Sequence, residues 1–181
     1  MAQALSPSIQ AFNQRLLAEH SLTEEEAQAI WESYDDGDLH KNIKKSNQQL
    51  KLCGLEIAAV SLKEDGKAVR HYALINKTPE SAIGKWTDQE RDFVRKILQT
   101  LVEDGATSRV NLINLKNNFV GLKLDTATAI VQQLVEEKWL RPEGGSKTVL
   151  NLAPRTYLEL AHLLTDELGM DESDLPQILT F

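Results

Sequence analysis

Four histidines and one cysteine are the residues here best suited to hold a metal or to act as nucleophile and base: His20, His40, His71, His162 and Cys53. Structural zinc needs ligands in closely spaced pairs, and these five are scattered along the chain without such spacing. Serine, histidine and acidic residues occur in no recognisable nucleophile context, and no glycine-rich loop leads from a strand into a helix. The residues therefore predict neither a catalytic site nor a bound cofactor in this chain. Cys53, beside the start of an apolar strand, reads as a buried small hydrophobe. One cluster stands out by charge: Lys41, Lys44, Lys45 and Lys51. On the outer face of an amphipathic helix such a cluster is ordinarily a solvated surface; its other reading is a weak phosphate-contacting patch for DNA.

Composition limits that second reading. The 181 residues carry a net charge of −7, with 9 basic and 12 acidic residues up to position 84 and 11 and 15 beyond it. Duplex binding depends on neutralising phosphates, so two acidic halves argue against a dedicated DNA binder while leaving room for a local patch. Apolar residues make up 41% and charged residues 26%, which suits one large globular domain or two small ones. The longest near-run of apolar residues, Leu55 to Leu62, already contains Glu56, so no membrane span is expected. Met1-Ala2-Gln3-Ala4 has neither a basic segment nor an apolar core, and a single cysteine excludes an internal disulfide framework. These features point inside the cell.

The elements that would carry the lysines come early. Ser6-Pro7 reads as an N-cap followed by proline at the first helical position, opening a helix with Ile9, Phe12 and Leu16 on one face. Thr23 with Glu26 is a capping box for a second helix bearing Ala27, Ile30, Trp31 and Tyr34, which stops at Asp35-Asp36-Gly37. Asp38 caps a third, with Leu39, Ile43 and Leu50 inward and the lysines toward water. After Gly54 the period changes to two: Leu55, Ile57 and Ala59, a turn at Asp65-Gly66, then Tyr72, Leu74 and Asn76, which is a β-hairpin. Three helices and a two-stranded hairpin are the content of a winged helix.

The same order recurs beyond a linker at 76–81. Thr87 with Glu90 opens a helix with Phe93, Val94, Ile97, Leu98 and Leu101, ending near Gly105. A short helix follows around Val110 to Leu115, then a third capped by Asp125, carrying Ala127, Ile130, Val131, Leu134 and Val135. Trp139-Leu140 begins a strand, Pro142-Glu143-Gly144-Gly145 turns it, and Val149 to Leu152 returns. A closing helix from Pro154 shows Tyr157, Leu158, Ala161 and Leu164, with Gly169 placed to end it. Outward positions of the third helix are Thr126, Thr128, Gln132, Gln133, Glu136 and Glu137; a groove-reading helix needs cations there, so this unit reads as a protein-binding one. The expectation is a mainly α, α+β chain of tandem winged helices: residues 1–80, residues 81–169, and an acidic tail over 170–181.

Several stretches together resemble one family. Leu55-Glu56-Ile57, Glu64-Asp65-Gly66-Lys67 and Tyr72-Ala73-Leu74-Ile75-Asn76 are similar to the hairpin of non-SMC element one, the RING-type subunit of the Smc five/six chromosome-maintenance and DNA-repair complex. Glu90-Arg91-Asp92-Phe93-Val94-Arg95-Lys96 resembles a helix of that family. The most specific match is the run Val131 to Leu140 followed by Gly144-Gly145, and Arg155 to Leu160 resembles the helix just before the family's zinc domain. The resemblance spans about residues 9 to 168. It implies tandem winged helices that pair with a MAGE-type subunit and are joined by a kleisin subunit, in the nucleus and on chromatin. It also implies a C-terminal RING-like domain that holds zinc and meets a ubiquitin-conjugating enzyme. Nothing after Gly169 supplies its ligands, so zinc and ubiquitin-ligase activity are expected only outside these residues. A transcription-regulator-like tandem winged helix that binds DNA directly is the alternative, supported by the Lys41 to Lys51 cluster.

Overall fold

Ser6 Oγ accepts from the Ile9 amide, and Pro7 takes the first helical position, where no donor is needed. In this computed structural model the described residues are 6–34, 37–64, 66–77 and 86–181. The helix stop at Asp35-Asp36, the turn residue Asp65 and most of the linker at 76–81 lie outside them. Helix α1 (Pro7–Glu19) buries Ile9, Phe12 and Leu16. A short strand, β1 (Ser21–Thr23), leads into α2 (Glu24–Glu32), held by the Thr23–Glu26 capping box. Asp38 caps α3 (Leu39–Leu50), accepting from the Lys41 amide at 2.7 Å. Strands β2 (Leu55–Glu64) and β3 (Lys67–Asn76) then pair antiparallel along their whole length.

Two expectations for this region need correction. Cys53 is exposed, not buried. A single 3-10 turn, Lys51–Cys53, separates α3 from β2 and ends on Gly54 at φ 71°. That turn carries Leu52 and Cys53 outward, leaving Leu52 88% exposed, so the inward alternation starts only with the strand. The hairpin is also less two-faced than its pattern. Ala58, Val60, Ala73 and Ile75 are buried along with Ile57, Ala59 and Tyr72, so both faces of β2 and β3 are covered.

The second half repeats the order. Thr87 and Glu90 form a capping box on α4 (Asp88–Asp104), which ends at Gly105. Strand β4 (Thr107–Ser108), helix α5 (Arg109–Asn114), helix α6 (Leu124–Glu136), and the hairpin β5 (Leu140–Glu143) with β6 (Ser146–Leu152) follow. Lys123, not Asp125, is the N-cap of α6; Asp125 lies in the first turn, where its carboxylate still meets the positive end of the helix. Pro142 and Glu143 belong to β5, and Gly144-Gly145 alone make the turn, both at positive φ as a two-residue hairpin turn requires. The closing helix is shorter than its apolar spacing suggests. Helix α7 (Pro154–Glu159) stops at Leu160, and a wider π-type turn at Leu163–Glu167 brings Leu164 into the core before Gly169 ends it at φ 78°.

The result is the mixed helix and antiparallel-sheet class expected. The chain divides into two units: residues up to Pro79 together with Pro176–Phe181, and Glu80–Leu175. The first unit's sheet has the order β1-β3-β2-β7, where β7 is Ile178–Thr180; the second has β4-β6-β5. Residues 170–181, read from sequence as an acidic tail, thus end in a strand that β2 accepts. A three-residue strand after Pro176 is too short to show a period of its own.

Each unit has its own core. In the first, Phe12 meets Trp31 edge to face with ring centroids 5.9 Å apart, and Tyr72 at 6.2 Å, against Leu16, Leu22 and Ile43. In the second, Phe93, Ile97 and Leu101 of α4 pack with Leu112, Val131 and Leu134, and Phe119 sits edge-on to Phe93 at 5.7 Å.

Candidate interaction surfaces

Helix α3 presents two opposite faces because its polar and apolar residues keep helical register. Leu39, Ile43, Ser46 and Asn47 are buried, while Lys41, Lys44 and Lys45 are exposed on the other side and Gln48 continues their row. Lys51 follows on the 3-10 turn, also exposed, next to the bare side chain of Leu52. All four lysines are therefore brought to accessible surface around α3 and its end. Among the described residues none of them is ion-paired to a carboxylate.

Sequence reasoning missed the polar side of α3 that faces inward. Ser46 and Asn47 are 1% exposed. Ser46 accepts from Asn13 Nδ2 at 3.0 Å, tying α3 to α1. Asn47 reaches the edge of β2, where its Oδ1 accepts from the Ile57 amide at 2.7 Å and its Nδ2 donates to the Ile57 carbonyl at 2.9 Å. The signal was available as two polar residues falling on the stripe between Ile43 and Leu50.

The four histidines have four separate surroundings. His20 ends α1 in a left-handed backbone at φ 63°. His40 Nε2 and the Tyr72 hydroxyl share a hydrogen bond of 2.9 Å. His71, buried, lies 2.8 Å from Glu64 Oε1, and His162 is fully open to solvent near Asp166. Among the described residues no group of three or more His, Cys, Asp or Glu side chains is arranged to hold a metal ion. Burial pushes the Tyr72 hydroxyl up from its ordinary value, and the Tyr72 hydroxyl and then Glu24, 2.7 Å away, hold the Arg70 guanidinium all the more firmly charged.

Two further features are apolar. An open groove of about 450 Å³ runs between α1 and α2, floored by Ala11, Leu22 and Ile30 and rimmed by Arg15 and Tyr34. In the second unit Val110, Val120 and Leu124 are 64%, 98% and 53% exposed around α5 and the start of α6. The outward side of α6 itself is engaged with amides and carboxylates: Arg109 donates to Gln132 Oε1 and Gln132 donates to Glu136 Oε1, both at 2.7 Å. That side offers little to a phosphate. No helix of the described residues is long and apolar enough to cross a membrane.

These features define a class: tandem helix-and-hairpin units, with a row of exposed lysines on the first and exposed apolar side chains around α5 and α6 on the second. The chain belongs to the family described as Nse1 non-SMC component of SMC5-6 complex, whose model matches residues 9–118, more than half of its length. Its fold is similar to that of a chain in a solved Nse1-Nse3-Nse4 complex, with a TM-score of 0.73 over 96% of this chain and 81% of the other, at 19% sequence identity. No curated protein sequence matches.

Proposed function

We propose that this chain is a scaffold subunit of the SMC5-6 complex, built of two winged helices that dock on a MAGE-type subunit and, with it, on a kleisin. The observation that carries the reading is the fold similarity to a chain of an Nse1-Nse3-Nse4 complex over nearly the whole chain. The winged-helix assignment is supported by the order found twice: helix, short strand, two helices, hairpin, with the short strand pairing antiparallel to the second strand of the hairpin. Apolar surface left on each unit supplies the docking energy, since a small domain buries a smaller share of its apolar surface than a large one. On this reading the protein acts on nuclear chromatin in DNA repair and recombination.

DNA contact is a minor part of the proposal. Lys41, Lys44, Lys45 and Lys51 form an exposed cationic row on an acidic protein, which suits a few phosphate contacts and a binding that salt removes. The direct-regulator alternative rests on the same row and is weakened by the carboxylates on α6. We assign neither zinc nor ubiquitin transfer to these residues. Co-purification of the chain with a MAGE-type subunit tests the proposal: a stable pair supports it, and separate elution overturns it.

A further inference from the structure

The free side of β2 is closed by two different devices placed end to end. At Ile57 the closing group is the Asn47 side chain, whose amide takes both hydrogen-bonding groups of that residue as a neighbouring strand would. Immediately beyond, β7 takes over: Ala58, Ala59 and Val60 pair with Thr180, Leu179 and Ile178, and the Ser61 amide donates to the Gln177 carbonyl at 3.1 Å. By the two-residue alternation of a strand, the Ala59 amide points to the same side as those of Ile57 and Ser61. Asn47 thus sets where an incoming strand must stop.

Past that stop the chain turns onto a shelf of rings. Phe181 stacks on His40 with centroids 5.2 Å apart and planes 28° from parallel, and on Tyr72 at 6.0 Å and 26°. The hydrogen bond between His40 Nε2 and the Tyr72 hydroxyl holds the two rings in place. Leu179 and Phe181 pack against the first unit's core, whereas Gln177, Ile178 and Thr180 are exposed. The contact therefore has the two parts of recognition by strand addition: a backbone ladder that accepts any extended segment, and pockets that select alternate side chains.

We infer that the β2 edge from Ala58 to Ser61, with the His40–Tyr72 shelf, is a docking site for an extended peptide segment of the pattern aliphatic-x-aromatic. Its resident ligand is the chain's own Leu179-Thr180-Phe181. Three paired residues make a short ladder, and β2 continues to Glu64 without a β7 partner beyond Ser61. The resident segment keeps the site through its tether, which acts as an effective concentration on the order of millimolar. The site shares no residue with the lysine row or the α1–α2 groove, although His40 stands one turn before Lys44 on α3, and its test reads β2 protection, so it stands or falls apart from the scaffold proposal.

The test uses the full chain. Phe181→Ala and, separately, His40→Ala remove one partner of the stack each; exposed His40 can be lost without opening the core. Amide hydrogen exchange at Ala59 and Ser61 is expected to rise at least about tenfold in both variants, with the exchange of α4 and α6 unchanged. A labelled synthetic peptide of residues 176–181 is then expected to bind Phe181→Ala and to restore that protection, while wild type, already occupied, binds it at least about tenfold more weakly. Unchanged exchange at Ala59 and Ser61 in both variants, or failure of the peptide to bind Phe181→Ala, would overturn the inference. A peptide with Leu179 and Phe181 replaced by serine must also fail to bind; equal binding by that peptide overturns the proposed selectivity.

Discussion

The carboxamide of Asn47 is hydrogen-bonded to both backbone groups of Ile57, at 2.7 and 2.9 Å, although the two residues lie on different elements. The pair is fully buried and fixes the distance between α3 and the hairpin. Replacing Asn47 by alanine leaves the Ile57 amide and carbonyl inside without partners and is expected to cost about 1–3 kcal/mol per unsatisfied group. Asn47→Asp is expected to be at least as harmful, because an ionised carboxylate cannot donate to the Ile57 carbonyl. Urea denaturation of the two variants checks this, and an Asn47→Asp protein as stable as wild type would remove Asn47 from this role.

The capping boxes offer a control on the other unit. Thr87 Oγ1 accepts from the Glu90 amide while the Glu90 carboxylate takes the Thr87 amide at 2.9 Å. Thr87→Ala is expected to destabilise the protein by about 1 kcal/mol, visible as a lowered melting temperature without loss of the family fold. Circular dichroism melts of the variant measure it.

Alkaline stability has a defined sign. Tyr72 and Tyr157 both have their hydroxyl pKa raised, in each case chiefly by burial. The folded state keeps these protons longer than the unfolded chain, whose tyrosines titrate near about pH 10. The stability they contribute is complete below that pH and is lost as pH rises through the folded values, with a slope of at most about 1.4 kcal/mol per pH unit for each ring. Denaturation midpoints from pH 8 to about 11 are expected to fall, and a Tyr72→Phe, Tyr157→Phe double variant is expected to flatten the fall.

The lysine row gives a prediction that separates charge from folding. Lys41, Lys44, Lys45 and Lys51 are exposed, so reversing all four to glutamate is expected to leave the melting temperature nearly unchanged. Any DNA association should be abolished, and each lysine that truly meets a phosphate accounts for about one unit of the salt-dependence slope. Fluorescence titrations of a labelled duplex across salt concentrations read this directly.

Elements of this fold were legible in sequence wherever a local rule decided them. Ser6-Pro7, the boxes at Thr23 and Thr87, Asp38 and the Gly144-Gly145 turn each mark a terminus through a nearby hydrogen bond or a backbone conformation. What escaped depends on tertiary contact. Strands β1 and β4, of three and two residues, exist only because β3 and β6 offer them an edge. The exposure of Cys53 follows from one 3-10 turn, which no period reveals. Asn47 and Ser46 look like surface residues until α3 is placed against β2 and α1. Strand β7 pairs across more than a hundred residues of intervening chain, so its shelf on His40 and Tyr72 leaves no trace near Phe181 itself. The lysine row was visible by charge alone, but its worth as a site depends on a partner that the sequence does not carry.

The scaffold reading is tested most directly by titrating this chain against a MAGE-type subunit and, in parallel, against duplex DNA, at low and at moderate salt. Affinity for the protein partner should persist at moderate salt, because buried apolar area supplies most of it, while DNA binding should be weak at low salt and vanish at moderate salt. Tight DNA binding at moderate salt together with no binding of the MAGE-type subunit would contradict the account and put a DNA-binding regulator in its place.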